Sequence, residues 1–176
     1  MIIHSHPTGN FNVRMTAKAL YEAKILKEFH SCLCLPKQNF IIDILGGRVR
    51  EEYERRVFSE IPERIQYNHP YKEIARIANQ KLNIFKNVDK DRHVLSVNSI
   101  YKDFDRKVAS RLKEADEVKA VYAYEDGARD TFRQAKVKGI KSIYDLPIGY
   151  WKSAREIYKE ESEREPEWAC TLTGLE

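Results

Sequence analysis

Between residues 118 and 151 the spacing of apolar positions changes period three times. Val118, Ala120, Val121, Tyr122, Ala123 and Tyr124 form a short apolar run, rich in β-branched and aromatic residues and interrupted only by Lys119. Such a run predicts a strand. Glu125-Asp126-Gly127 breaks it. Ala128, Thr131, Phe132 and Ala135 then recur at helical spacing, and Gly139 follows as a helix stop. Ser142-Ile143-Tyr144 resumes as a buried strand, Asp145-Leu146-Pro147 ends it, and Tyr150-Trp151 opens a further helix. Two strands joined through one helix run parallel, with a right-handed crossover. In such sheets ligands bind beyond the carboxyl ends of the strands. Here those ends carry Tyr124, Glu125, Asp126 and Asp145.

The opening repeats the pattern. Residues 1–6 predict a strand, Pro7-Thr8-Gly9-Asn10 has turn chemistry, and Asn10 or Asn12 can cap a helix whose buried stripe is Val13, Ala17, Leu20 and Tyr21. Residues 29–35 predict the next strand, stopped by Pro36. The middle is less regular. Residues 40–45 are apolar and fit either a strand or a buried helix before Gly46-Gly47. Val49, Tyr53 and Val57 share a helical face among Arg48, Arg50, Arg55 and Arg56, and 64–68 predicts a short strand. Tyr71, Ile74, Ala75, Ala78 and Leu82 mark an amphipathic helix, 83–93 a polar loop, and Ile100, Phe104, Val108 and Leu112 a long amphipathic helix. The last helix, about 150–165, turns Ala154, Ile157 and Tyr158 inward and stops at Pro166. Helices alternating with short strands predict an α/β chain with an open, doubly wound, mostly parallel sheet and helices on both faces.

Composition narrows the classes. With 176 residues the chain suffices for one domain with a sizeable core. Lys and Arg number 31 against 27 Asp and Glu, a net charge of only +4, and the signs are interspersed. That argues against a dedicated nucleic-acid surface. No apolar run approaches the roughly 20 residues that span a bilayer, and no signal peptide opens the chain. Cys32, Cys34 and Cys170 form no disulfide framework, and the first two read as buried thiols. The expectation is a cytoplasmic α/β domain.

Two motifs occur together. His6-Pro7-Thr8-Gly9-Asn10-Phe11-Asn12-Val13-Arg14 follows the first strand; Tyr124-Glu125-Asp126-Gly127-Ala128 and Asp145-Leu146-Pro147-Ile148-Gly149-Tyr150-Trp151 follow two later ones. This set resembles the amino-terminal domain of group 1 (family 4) glycosyltransferases of a bacterial subgroup, over most of the chain including Pro166-Glu167-Trp168. The resemblance implies that residues 1–176 are one Rossmann-like domain, the acceptor-side half of a GT-B fold. The carboxy-terminal donor-binding domain is then absent, and this piece alone is inactive. The implied reaction moves a sugar from a nucleotide-sugar to a glycan or lipid-linked acceptor, typically with retention and without a bound metal or other cofactor. It would serve cell-surface glycan or glycolipid synthesis, in the cytoplasm and in some cases peripheral to the inner membrane.

On that resemblance the loop from His6 faces the interdomain cleft. Gly9 would let backbone approach a ligand, the helix amino terminus would face an anion, and Asn10, Asn12 and Arg14 would add donors. The residues alone equally fit an ordinary turn with an Asn cap. His4 and His6 share one strand face, a spacing that suits a metal pair, but no third ligand cluster accompanies them, and core or cleft histidines are the better reading. Glu125 and Asp126 could hydrogen-bond sugar hydroxyls beside Tyr124 and Gly127, or Asp126 could cap the next helix. Asp145 is the candidate catalytic carboxylate, with loop ordering as its alternative; Tyr150 could stack on a sugar or anchor its helix. The arginines between 48 and 56 could touch an anionic membrane, although Glu51, Glu52 and Glu54 offset them. Two other classes remain open: a stand-alone ligand- or partner-binding module on this fold, and an interaction protein whose cleft pairs with another chain.

Overall fold

The computed structural model describes residues 1–37, 47–82, 85, 93–146 and 149–172. They form two compact units, residues 1–145 and 146–176. The apolar run at 40–45, and the polar loop at 83–93 apart from Phe85 and His93, lie outside the described residues.

The first unit is built on five parallel strands: β1 (Ile2–Ser5), β2 (Leu26–Ser31), β3 (Gln66–Asn68), β4 (Ala120–Tyr124) and β5 (Lys141–Asp145). Their order is β3-β2-β1-β4-β5. The helices are α1 (Phe11–Glu22), α2 (Gly47–Glu54), α3 (Tyr71–Leu82), α4 (Val97–Glu114) and α5 (Arg129–Val137). This is the Rossmann-like doubly wound fold that the alternation predicts. The chain runs outward from β1 to β3, then returns to β4 on the other side of β1. The order therefore reverses between β1 and β4, and α/β sheets bind ligands at that switch point.

Two cores cover the two sheet faces. Ile3 and Val121 pack with Ile100, Phe104, Val108 and Leu112 of α4 and Ala135 of α5. The i, i+4 spacing of those α4 residues was readable directly. On the other face Val13 and Ala17 of α1 pack with Leu26, Phe29, Phe58 and Ile61. Asn10 caps α1, its Oδ1 accepting the Val13 N–H at 3.0 Å. Gly139 ends α5 with φ +67°, where an L side chain would be strained.

Four expectations need correction. β2 begins at Leu26 and not at Phe29, and it ends at Ser31. Its start was hidden by Lys27 and Glu28: the register shifts beside Lys27, and Glu28 is buried because Arg111 neutralises it with two bonds, 2.7 and 3.1 Å. Leu35 survives only as an isolated bridge to Val57, which lies beyond α2. The apolar stripe of α3 faces outward: Tyr71, Ile74 and Leu82 are exposed, while Glu73 and Asn79 are buried. The inward face is polar because its partners are: Arg76 holds Glu73 at 2.7 Å, and Asn79 holds the Phe85 backbone. β5 is an edge strand, largely exposed. In the second unit α6 (Trp151–Arg164) buries no residue, and Ile157 is 55% exposed. It packs on the 3-10 turn Pro166–Thr171, which offers too little surface to cover a stripe.

Candidate functional site

The site begins with the strand register. Ser5 pairs with Ala123, so the next residues, His6 and Tyr124, lie side by side, and Tyr124 pairs with Asp145. Side chains alternate along a strand, so His4 and Tyr122 share this face one step earlier. Ring centroids confirm both rows: His6 to Tyr124 is 4.2 Å, His4 to Tyr122 4.9 Å and His4 to Phe29 5.2 Å. The row His6–Tyr124–Asp145 crosses the carboxyl edge of β1, β4 and β5 at the switch point.

The two motif loops meet there. A Cβ on Gly127 would lie 3.8 Å from Pro7 Cγ and 3.5 Å from Phe104 Cδ1. His6 is 3% exposed. Its Nδ1 accepts the Thr8 N–H at 3.1 Å and abuts the Thr8 carbonyl. Its Nε2 is buried without a partner among the described residues, and so is His4 Nδ1. Burial lowers the His6 imidazole to about 4, against the opposing pull of the Thr8 carbonyl beside Nδ1 and of the Asp145 charge. Burial, with the neighbouring His6, lowers His4 to about 3. Both rings are therefore neutral near pH 7. Tyr122 is raised by burial and by the charge of Asp145 and a hydrogen bond with it, while a bond with Thr16 acts the other way. Tyr122 and Thr16, neither singled out from the sequence, thus belong to the same polar group. No spacing signal joins residues 16, 122 and 145; only the register brings them together.

Three of the other candidates, Gly9, Asn10 and Arg14, are engaged by the protein's own groups. Gly9 is required, but for packing: a Cβ there would sit 2.3 Å from Phe58 Cζ. Arg14 donates to the Arg55 carbonyl at 2.6 Å, to the Val57 carbonyl and to Glu60, with its guanidinium 4.7 Å over the Phe58 ring. Asn10 is the helix cap, and Asn12 is exposed. Glu125 is half-buried; the Asp126 side chain lies outside the described residues. Capping of α5 comes from Asp105 on α4, whose carboxylate accepts the Asp130 and Thr131 N–H groups at 2.6 and 2.9 Å. Tyr150 belongs to the second unit and is half exposed.

Beside the first loop a cavity of about 170 Å³ is walled by Pro7, Thr8, Gly9, Cys32, Glu73, Arg55, Arg56 and Glu52. Its two guanidiniums and two carboxylates balance, so it presents hydrogen-bonding capacity with little net charge. Cys32 and Cys34 are pushed up to about 12 by burial and remain thiols. Among the described residues no three His, Cys, Asp or Glu side chains lie together as metal ligands, and no helix is long and apolar enough to cross a membrane.

Compared with known proteins, the chain is matched by no family model, no curated protein and no solved structure.

Proposed function

We propose that the chain is the amino-terminal, acceptor-side half of a GT-B glycosyltransferase, which transfers sugar from a nucleotide-sugar to a glycan or lipid-linked acceptor with retention. The observation that carries this reading is the meeting of the two motif loops, His6 to Gly9 and Tyr124 to Gly127, at the switch point of a 3-2-1-4-5 sheet. Sugars are recognised by hydrogen bonds to hydroxyls, and the half-buried Asp145 carboxylate beside Tyr124 offers such chemistry. In this reading Asp145 contacts the sugar or the acceptor hydroxyl, buried His6 backs the row, and Gly9 and Arg14 hold the loop in place. The enzyme works on the cytoplasmic side, and lipid-linked acceptors would bring it to the inner membrane. The arginines Arg50, Arg55 and Arg56 are paired with Glu52 and Glu54, so α2 contributes little to that attraction.

The test is an assay of the whole native protein against a panel of nucleotide-sugars, with and without lipid-linked acceptors. Donor consumption that falls at least tenfold in Asp145→Asn supports the reading. A folded protein that neither hydrolyses nor transfers any donor overturns it. In the second case specific ligand binding without turnover would identify a binding module.

A further inference from the structure

A chain of buried polar groups lies on the α4 face of the sheet, away from the His6 row. Arg111 of α4 grips Glu28 of β2 through two bonds. The second oxygen of that carboxylate, Oε2, lies 3.0 Å from His30 Nε2. His30 Nδ1 lies 3.0 Å from His69 Nε2, with the two rings stacked 12° from parallel and the His30 ring also stacked on Tyr67. Glu28 and His30 are 2% and 0% exposed, whereas His69, just past β3, is half-buried.

Chemistry fixes the protons. A carboxylate only accepts, so His30 Nε2 carries hydrogen. Burial pushes the Glu28 carboxyl up, but the bonds and charges of His30 and Arg111 outweigh it and hold the group at about 2, so it stays ionised. In a neutral His30, Nδ1 must then accept, and His69 Nε2 must donate to it. That leaves His69 Nδ1 as an acceptor, with no hydrogen bond among the described residues. A proton arriving there needs no rearrangement of heavy atoms. The His69 Nε2 hydrogen can cross to His30 Nδ1, the N–H···N bond reverses direction, and the positive charge settles on His30 against Glu28. A second proton cannot be accommodated. Both facing nitrogens would then carry hydrogen across 3.0 Å, and two cations would stack.

We infer that His30 and His69 form a one-proton latch between β2 and β3: the contact holds with no added proton or one, and the second opens it. The groups around it set its balance. They are Glu28 on β2 and Cys32 just past it, Tyr67 on β3, Asp103, Lys107 and Arg111 on α4, and Lys72 and Glu73 on α3. Lys107 and Lys72 share the single Asp103 carboxylate, at 2.8 and 3.5 Å, so one net positive charge remains beside the latch. Burial, His30 and Lys107 lower His69 to about 4, so the second proton arrives in moderate acid. Opening frees the carboxyl end of β3, where the His69 N–H donates to the Ser31 carbonyl at 3.1 Å.

The experiment is nitrogen NMR of the imidazoles, with amide hydrogen exchange of β3, on the unmodified protein from pH 8 to pH 3.5. The expected result is both rings as the Nε2–H tautomer at pH 8, one proton taken up by the pair with β3 protection unchanged, and at least a tenfold loss of protection at Tyr67, Asn68 and His69 with the second. In His69→Gln, which can still donate to His30, β3 should keep its protection to lower pH while the core stays folded. An Nδ1–H tautomer of His30 at pH 8, loss of β3 protection with the first proton, or double protonation with protection intact would each overturn the latch.

Discussion

Gly9 carries the sharpest consequence at the scale of a single residue. It has no positive φ, so its requirement comes from space alone. A methyl group there meets Phe58 Cζ at 2.3 Å and Cε1 at 2.8 Å, and Phe58 is itself 2% exposed among Val13, Ala17 and Phe29. The ring has no room to retreat, because it is also clamped under the Arg14 guanidinium. Gly9→Ala should therefore cost about 1–3 kcal/mol, the usual range for overpacking. Urea denaturation measures it. The same substitution in a Phe58→Leu background should cost clearly less, since the two side chains are in direct contact. Equal costs in both backgrounds would remove Phe58 as the reason for glycine. The motif made Gly9 conspicuous in the sequence. What it accommodates could not be read there, because Phe58 lies 49 positions away.

At the scale of elements, legibility followed the origin of each signal. The α4 stripe and the β4 run were readable because apolar residues bury themselves without help from elsewhere. β2 and α3 were misread because their inward positions are charged or polar, and only a specific partner makes that burial tolerable. Glu28 needs Arg111, 83 positions on; Glu73 needs Arg76, one turn further along the same helix. Helix α5 follows the same logic. Its sequence suggested a local cap at Asp126, but the structure supplies Asp105 from α4, with the Thr131 hydroxyl returning a bond to the Asp105 carbonyl. Asp105→Ala should cost about 1–3 kcal/mol, because it strips the buried Thr131 N–H and the part-buried Asp130 N–H of their acceptor. Amide exchange at Asp130 and Thr131 should rise well before that of β4. On α3 the expectation is reversed from what the apolar spacing suggests: Tyr71→Ser and Leu82→Ser, both at exposed positions, should stay within about 0.5 kcal/mol of the parent. A loss of 2 kcal/mol from either would mean that the stripe is covered.

For the whole molecule, the decisive property is the number of histidines buried in neutral form. His4, His6 and His69 are lowered from 6.5 to about 3, about 4 and about 4, burial being the first cause in each. Below about pH 6.5 the unfolded chain takes up protons on these three while the folded one refuses them. Folding stability is therefore complete above pH 6.5, falls as the pH drops through 6, and goes on falling until the folded-state values near 4 and 3 are reached. A group in that window costs about 1.4 kcal/mol per pH unit. His4 and His6 together thus approach twice that slope near pH 5, and half-exposed His69 adds a smaller share after solvent screening. Glu28, lowered from 4.5 to about 2, contributes a further loss only below pH 4.5. The midpoint of urea denaturation, followed from pH 8 to pH 4, should therefore fall without any ligand present. His4 isolates the cause. It is 1% exposed between Phe29 and Tyr122, and its Nδ1 has no partner among the described residues, so an apolar side chain loses no hydrogen bond shown for that atom. His4→Leu should lie within about 2 kcal/mol of the parent at pH 8 and gain on it steadily below pH 6, because the variant has one fewer proton to refuse. Parallel stability curves for the two proteins down to pH 4 would show that His4 titrates as it does in the unfolded chain, and the acid sensitivity would then have to come from His6, His69 and the carboxylates.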